Sequence, residues 1–339
     1  MKPHCCLVLL LSMLLFTSLS RADTGFRLQQ FDYPYPVQMF SLNSQQKTLE
    51  MAYMDVAPRG TANGETVVLF HGKNFCAATW KQAITLLSEA GYRVIAVDQI
   101  GFCKSSKPLD YQFSFHQLAN NTRALLTELG ISQFYLMGHS MGGMLASRYA
   151  LLYPEQLQGL LLVNPIGLED WLQKGVPYIN IDTWYQQQLE LDAEGIKRYQ
   201  QNTYYAGEWR EDYSVWVDML AGQFKADREK SAWLSAKIYD MILTQPVVHE
   251  LKNIEVPTWL FIGAQDNTAV GKGFADERTR SRLGNYRQLA SITVSRFADA
   301  RLHLFPEMGH SPHIQSPELF NQALLKALRQ LASRPKRTD

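Results

Sequence analysis

An open, mostly parallel α/β sheet with helices on both faces is the fold class that this 339-residue chain predicts, and three observations predict it. Short, wholly apolar runs recur along the chain, helical stretches separate most of them, and 46 % hydrophobic content is enough for a large core. Apolar runs without polar alternation suit strands that are covered on both faces.

In chain order, residues 37–57 (VQMFSLNSQQKTLEMAYMDVA) predict two strands joined by a polar turn around Asn43 to Gln46. TVVLF (66–70), RVIAVD (93–98), FYLMG (134–138), LQGLLLVN (157–164), TWLFIG (258–263) and RLHLFP (301–306) predict buried strands. Helical patterns at 79–90, 114–129, 141–152 and 317–332 separate most of them. In such sheets ligands bind beyond the C-terminal ends of the strands. About ninety residues between Asn164 and Thr258 break the alternation, and residues 168–250 predict an inserted helical cap. The core is then residues 25–167 and 251–335.

The N-terminus places Lys2 before an apolar run from Cys5 to Leu19, followed by Ser20-Arg21-Ala22. This pattern predicts a signal peptide over residues 1–22 and export to a periplasmic or extracellular compartment. The run falls short of the roughly 20 apolar residues of a membrane span, so no stable span is expected after processing. Cleavage at Ala22 removes Lys2 and Arg21 and leaves 31 basic and 32 acidic residues. A near-neutral chain without long like-charge runs is poorly suited to nucleic acid or anionic membrane. A small-molecule partner fits better, and oligomeric state is not legible.

The most informative stretch is YLMGHSMGGML (135–145). A Gly-x-Ser-x-Gly pattern arises by chance, but here it lies between the strand FYLMG and the helix MLASRYALLY, which is the context that a nucleophile elbow requires. Gly138 and Gly142 supply the small residues on either side of Ser140. A serine at such a turn needs a base on another loop at the same sheet edge. His310, just beyond the last strand in HLFPEMGHSPHIQ, is best placed, and His313 on the same loop is its rival. His303 lies inside the strand, His139 adjoins the serine but points elsewhere, and His116 and His249 sit in helical surroundings. The base needs a carboxylate, which Asp266 in GAQDNTAV supplies; capping the next segment is its alternative role. The order Ser140, Asp266, His310 follows.

With these motifs the chain resembles the α/β-hydrolase fold superfamily, in its serine-nucleophile branch. The resemblance runs from about residue 37 to 332 and includes LFHGKNF (69–75), DQIGFCKSSKP (98–108) and GHSPHIQSPELF (309–320). It implies an oxyanion hole built from the backbone N–H groups of Lys73 and Met141, with His71 and Gly72 shaping the loop. A serine at position 140 disfavours the epoxide hydrolases and dehalogenases of this group, which carry aspartate there. Motifs of the HExxH or CxxC type and phosphate-cradling glycine loops are absent from the sequence, and no cofactor is expected.

Three functions remain open: an exported carboxylesterase, a diketone-cleaving C–C bond hydrolase, and a ligand-binding protein that keeps the fold without turnover. The cap stretch holds five of seven tryptophans and seven of sixteen tyrosines. These serve as cap core or as the roof of a pocket for an apolar or aromatic acyl substrate. The arginine-rich segment between Asp266 and His310 either covers the site or forms a solvated helix. Cys76 and Cys103 follow strands that are neighbours in the resembled fold. Either they form a disulfide, closing a 27-residue loop worth about 3 kcal/mol, or they are buried free thiols.

Overall fold

The structure is a computed structural model that describes residues 24–334. The expected signal peptide, residues 1–22, lies outside them. Eight strands form one sheet: β1 (Val37–Ser44), β2 (Lys47–Val56), β3 (Thr66–Phe70), β4 (Arg93–Val97), β5 (Phe134–His139), β6 (Leu157–Val163), β7 (Thr258–Gly263) and β8 (Ala300–Phe305). Their spatial order is β1-β2-β4-β3-β5-β6-β7-β8. β2 pairs antiparallel with β1 and β4, and the other pairs are parallel.

Successive residues of a strand point to opposite faces, and β3 shows why its run is apolar throughout. Val68 and Phe70 join one core, while Val67 and Leu69 join another on the opposite face. The second core is closed by α1 (Lys81–Glu89) and α11 (Pro317–Ala332), through Ala83, Ile84 and Leu87 of the first and Phe320, Leu324 and Leu328 of the second. The first core is closed by α2 (Phe115–Glu128), α3 (Met141–Leu152) and α9 (Tyr286–Val294). Ser114 caps α2 by accepting the Gln117 N–H at 3.1 Å.

Between β6 and β7 stand α4 (Ile181–Leu189), α5 (Ala193–Tyr199), α6 (Ser214–Ala226) and α7 (Arg228–Thr244), with one π-helical turn at Gln200–Tyr204. The remaining short helices are α8 (Glu277–Arg280) and α10 (Pro312–Gln315). Among the described residues no helix is long and apolar enough to cross a membrane.

The segment between Asp266 and His310 is the crossover from β7 to β8, carrying α8 and α9. Tyr286, Leu289, Ala290 and Thr293 of α9 are buried and Ile292 is exposed, so this helix packs on the sheet with one face in solvent. The helix expected from residue 79 starts as a 3₁₀ turn at Ala77–Trp80 before α1.

Candidate active site

β5 ends at His139, and Ser140 turns the chain into α3 with φ +57° and ψ −122°. A side chain in that region strains the backbone, and two glycines make the turn sterically open. A Cβ on Gly138 would lie 2.2 Å from Gly142 O, and one on Gly142 would lie 2.5 Å from Phe70 O. The turn is pinned to β6, since Ser140 N–H donates to Val163 O at 3.1 Å and Ile166 N–H donates to Ser140 O at 3.2 Å.

His310 and Asp266 meet at this edge. His310 Nδ1–H donates to Asp266 Oδ2 at 2.6 Å, with both side chains buried. His310 Nε2 has no hydrogen-bond partner among the described residues. It is the His310 atom left over for a proton transfer. Asp266 is held on all sides: Oδ1 accepts the Thr268 N–H at 2.8 Å and the Thr268 hydroxyl at 2.6 Å, and Oδ2 also accepts Asn164 Nδ2–H at 2.9 Å.

Asn164 is a site residue without a recognised motif. It directly follows β6 with φ +37°, and its Oδ1 accepts the Gly263 N–H at 2.9 Å, so one side chain joins the ends of β6 and β7 to the carboxylate. Its trace in the sequence is a polar residue closing the apolar run LLLV.

The other histidines separate cleanly. His313 makes no hydrogen bond to Asp266; both its ring nitrogens are buried with no partner among the described residues, its ring lies 4.5 Å from that of Trp80, and burial pushes its pKa down to about 3. His139 Nε2–H donates to His310 O at 2.9 Å, and burial holds its ring well below the usual histidine range. It therefore supports the backbone of the His310 loop. His71 donates from Nδ1 to Gly72 O at 2.8 Å and accepts the Gln99 N–H on Nε2 at 3.1 Å, which fixes the loop after β3. His303 packs 4.5 Å from Phe305 in β8, and His249 pairs with Asp170 at 2.7 Å on the surface.

The loop bearing Lys73 lies against the elbow: a Cβ on Gly72 would lie 3.0 Å from the Ser140 Cβ. Met141 is the first residue of α3. The same loop is tied to the one after β4. Asp98 accepts the Ala77 N–H at 2.8 Å, the Lys104 N–H at 3.1 Å and the Tyr33 hydroxyl at 2.6 Å. Cys76 and Cys103 are joined in a disulfide with a Cα separation of 5.8 Å. Cys103 has φ +49°, the backbone region that suits glycine. Asp98 and these two sulfurs lie together, but the disulfide leaves no thiolate to hold a metal.

The helices between β6 and β7 close the site from above. The Tyr204 ring lies 5.0 Å from that of His310, tilted by 34°, and its hydroxyl accepts Asn74 Nδ2–H at 2.9 Å. His310 N–H and Ser311 N–H donate to Thr203 O and Tyr204 O, both at 3.1 Å. Gly309 permits this approach, because a Cβ there would lie 2.7 Å from Tyr204 O. Ser140 is 6 % exposed and His310 is fully buried.

Of the two roles open to the aromatic residues of the insertion, several rings take the first, as its core. Tyr205 stacks on Tyr213 at 3.7 Å and Trp184 on Tyr239 at 4.5 Å, while Trp233 meets Tyr185 at 5.8 Å. These rings mostly pack on one another as the interior of the helical insertion. Tyr204 is the one of them in ring contact with His310.

Fold and site together define a hydrolase of the α/β type. The profile of the alpha/beta hydrolase fold family matches residues 65–317, and the chain belongs to that family. A protein from Pseudomonas aeruginosa, described as a probable hydrolytic enzyme, is 58 % identical with a TM-score of 0.88, over 90 % of this chain and 97 % of that one. A 2-hydroxy-6-oxo-6-phenylhexa-2,4-dienoate hydrolase of Comamonas testosteroni is 27 % identical over 79 % of this chain and 88 % of its own. An esterase of Exiguobacterium antarcticum has the same fold, with a TM-score of 0.68 at 20 % identity, over 86 % of this chain and 100 % of that one.

Proposed function

We propose that the protein is an exported serine hydrolase that cleaves carboxylic esters through an acyl-enzyme. The observation that carries this reading is the buried 2.6 Å pair of Asp266 and His310, set at the sheet edge where Ser140 occupies its strained turn. With Nδ1–H committed to Asp266, His310 presents the Nε2 lone pair. It takes the Ser140 proton as Oγ bonds to the substrate carbonyl carbon. The oxyanion is held by the N–H groups of Lys73 and Met141. His310 then returns the proton to the leaving alkoxide, and the alcohol departs. Water, deprotonated by His310, releases the acid and restores Ser140. Asp266 holds the histidine's tautomer, and Asn164 and Thr268 hold Asp266.

The disulfide supports export, because such bonds persist in oxidising compartments. Cleavage of a C–C bond next to a ketone is the second reading, favoured by the resemblance to the dienoate hydrolase over most of both chains. One experiment separates them. Purified protein is labelled with a fluorophosphonate probe and assayed on p-nitrophenyl esters and on a vinylogous 1,5-diketone. Labelling with ester turnover supports the esterase, and turnover of the diketone alone replaces it with the second reading.

A further inference from the structure

Two partly buried lysines lie beside the loop after β3 with no carboxylate bonded to them among the described residues. A cavity of about 60 Å³ there is lined by both Lys73 and Lys107, with Phe75 and Phe102 from the core and Leu234 and Ile238 from α7. Lys73 Nζ donates to Ser235 Oγ at 2.7 Å and sits 3.8 Å over the Tyr239 ring; the Ser235 hydroxyl in turn donates a hydrogen bond to Gln188 Oε1 at 2.7 Å. Lys107 Nζ donates to Phe26 O and, at 2.5 Å, to Gln223 Oε1. Every one of these acceptors is neutral.

Buried ammonium groups are ordinarily paired with an anion. Asp98 acts on Lys107 from a distance, but its oxygens are taken by Ala77 N–H, Lys104 N–H and the Tyr33 hydroxyl. An ammonium has three donors, and Lys107 spends two. Lys73 spends one well, its contact with Asn74 Oδ1 being 3.5 Å long. Burial accordingly lowers both lysines to about 7, the condition of cations that lack a counter-charge. Beyond the faces of the Tyr239 and Phe26 rings, the remaining donors have no acceptor among the described residues, and Ser231 with apolar side chains completes the wall.

We infer that this cavity is a substrate subsite in which Lys73 and Lys107 recognise a carboxylate at the end of a short methylene chain, so that the preferred substrates are anionic half-esters. The inference rests on the serine-hydrolase reading for its position. On that reading the backbone N–H of Lys73 serves the oxyanion while its side chain lines the cavity, so one residue would join the subsite to the ester. Phe75, Phe102 and Leu234 suit the methylenes, and the ammonium groups suit the charged end.

The test compares kcat/KM for p-nitrophenyl butyrate and for the p-nitrophenyl half-ester of glutaric acid, whose acyl chains are similar in length. The wild type is expected to prefer the half-ester by at least about tenfold. Lys107→Met and Lys73→Met are each expected to cut that ratio about tenfold, and Lys107→Arg is expected to keep it. A wild-type ratio of one or below, which needs no variant, overturns the inference, as does an unchanged ratio in both Met variants when their melting curves show them folded. Calorimetric titration of glutarate into Ser140→Ala protein separates the subsite from the chemistry. Binding that disappears on adding Lys107→Met supports the subsite even where no ester is hydrolysed. Fluorophosphonate labelling without glutarate binding or half-ester preference sinks the subsite and leaves the hydrolase standing.

Discussion

At the scale of single residues, the site depends on who holds Asp266. A carboxylate that receives the Thr268 N–H and hydroxyl and the Asn164 amide cannot rotate away from His310. Ser140→Ala is expected to abolish fluorophosphonate labelling and to lower ester turnover by about 10³-fold or more. His310→Ala should do the same, whereas His313→Ala leaves the Asp266–His310 pair standing and retains labelling. Asn164→Ala is expected to lower kcat by roughly 10–100-fold through misplacement of the pair, with KM little changed, as steady-state kinetics on a neutral ester will show. Ser140, Asp266 and His310 were legible because each stands beside a turn or strand end whose local pattern is visible. Asn164 and Thr268 were not, because their importance comes from contacts across about a hundred residues in one case and from an unremarkable Asx turn in the other.

At the scale of elements, the loops after β3 and β4 behave as one unit. The Cys76–Cys103 bond joins them, Asp98 bridges them by hydrogen bonds, and Cys103 holds a backbone conformation that costs a non-glycine residue free energy. Replacing both cysteines by serine is expected to lower the stability by about 3 kcal/mol, measured by urea unfolding. It should also loosen the loop that carries Lys73, so turnover falls even where the protein remains folded. Strands and crossover helices were readable from apolar runs, because a sheet covered on both faces leaves no polar alternation to confuse them. The aromatic residues between β6 and β7 were harder to place. Composition records that rings are abundant, but whether they face a ligand or one another depends on packing, and here Tyr205 faces Tyr213 and Trp184 faces Tyr239.

At the scale of the whole molecule, the buried bases set how stability responds to pH. His71, His139 and His313 are all depressed by burial, the last to about 3. Unfolding below about pH 6.5 lets them take up protons, so their contribution is complete above that value and is lost as pH falls toward 3. Lys73 and Lys107 are depressed to about 7 from 10.5. Between these values the unfolded chain binds more protons than the folded one, so stability continues to rise from pH 7 toward 10. Melting temperatures across pH 4–9.5 are expected to increase throughout, and Lys73→Met with Lys107→Met should flatten the alkaline limb. A maximum near pH 6 would contradict the assignment of both lysines as desolvated cations without a carboxylate partner.

The backbone contacts of Thr203 and Tyr204 with the His310 loop also make the insertion part of the site's foundation. A π-helical turn between β6 and β7 supplies the two carbonyls on which the backbone of His310 and Ser311 is hung. Shortening that turn by one residue is therefore expected to shift the imidazole and lower turnover, although no side chain of Ser140, Asp266 or His310 is touched.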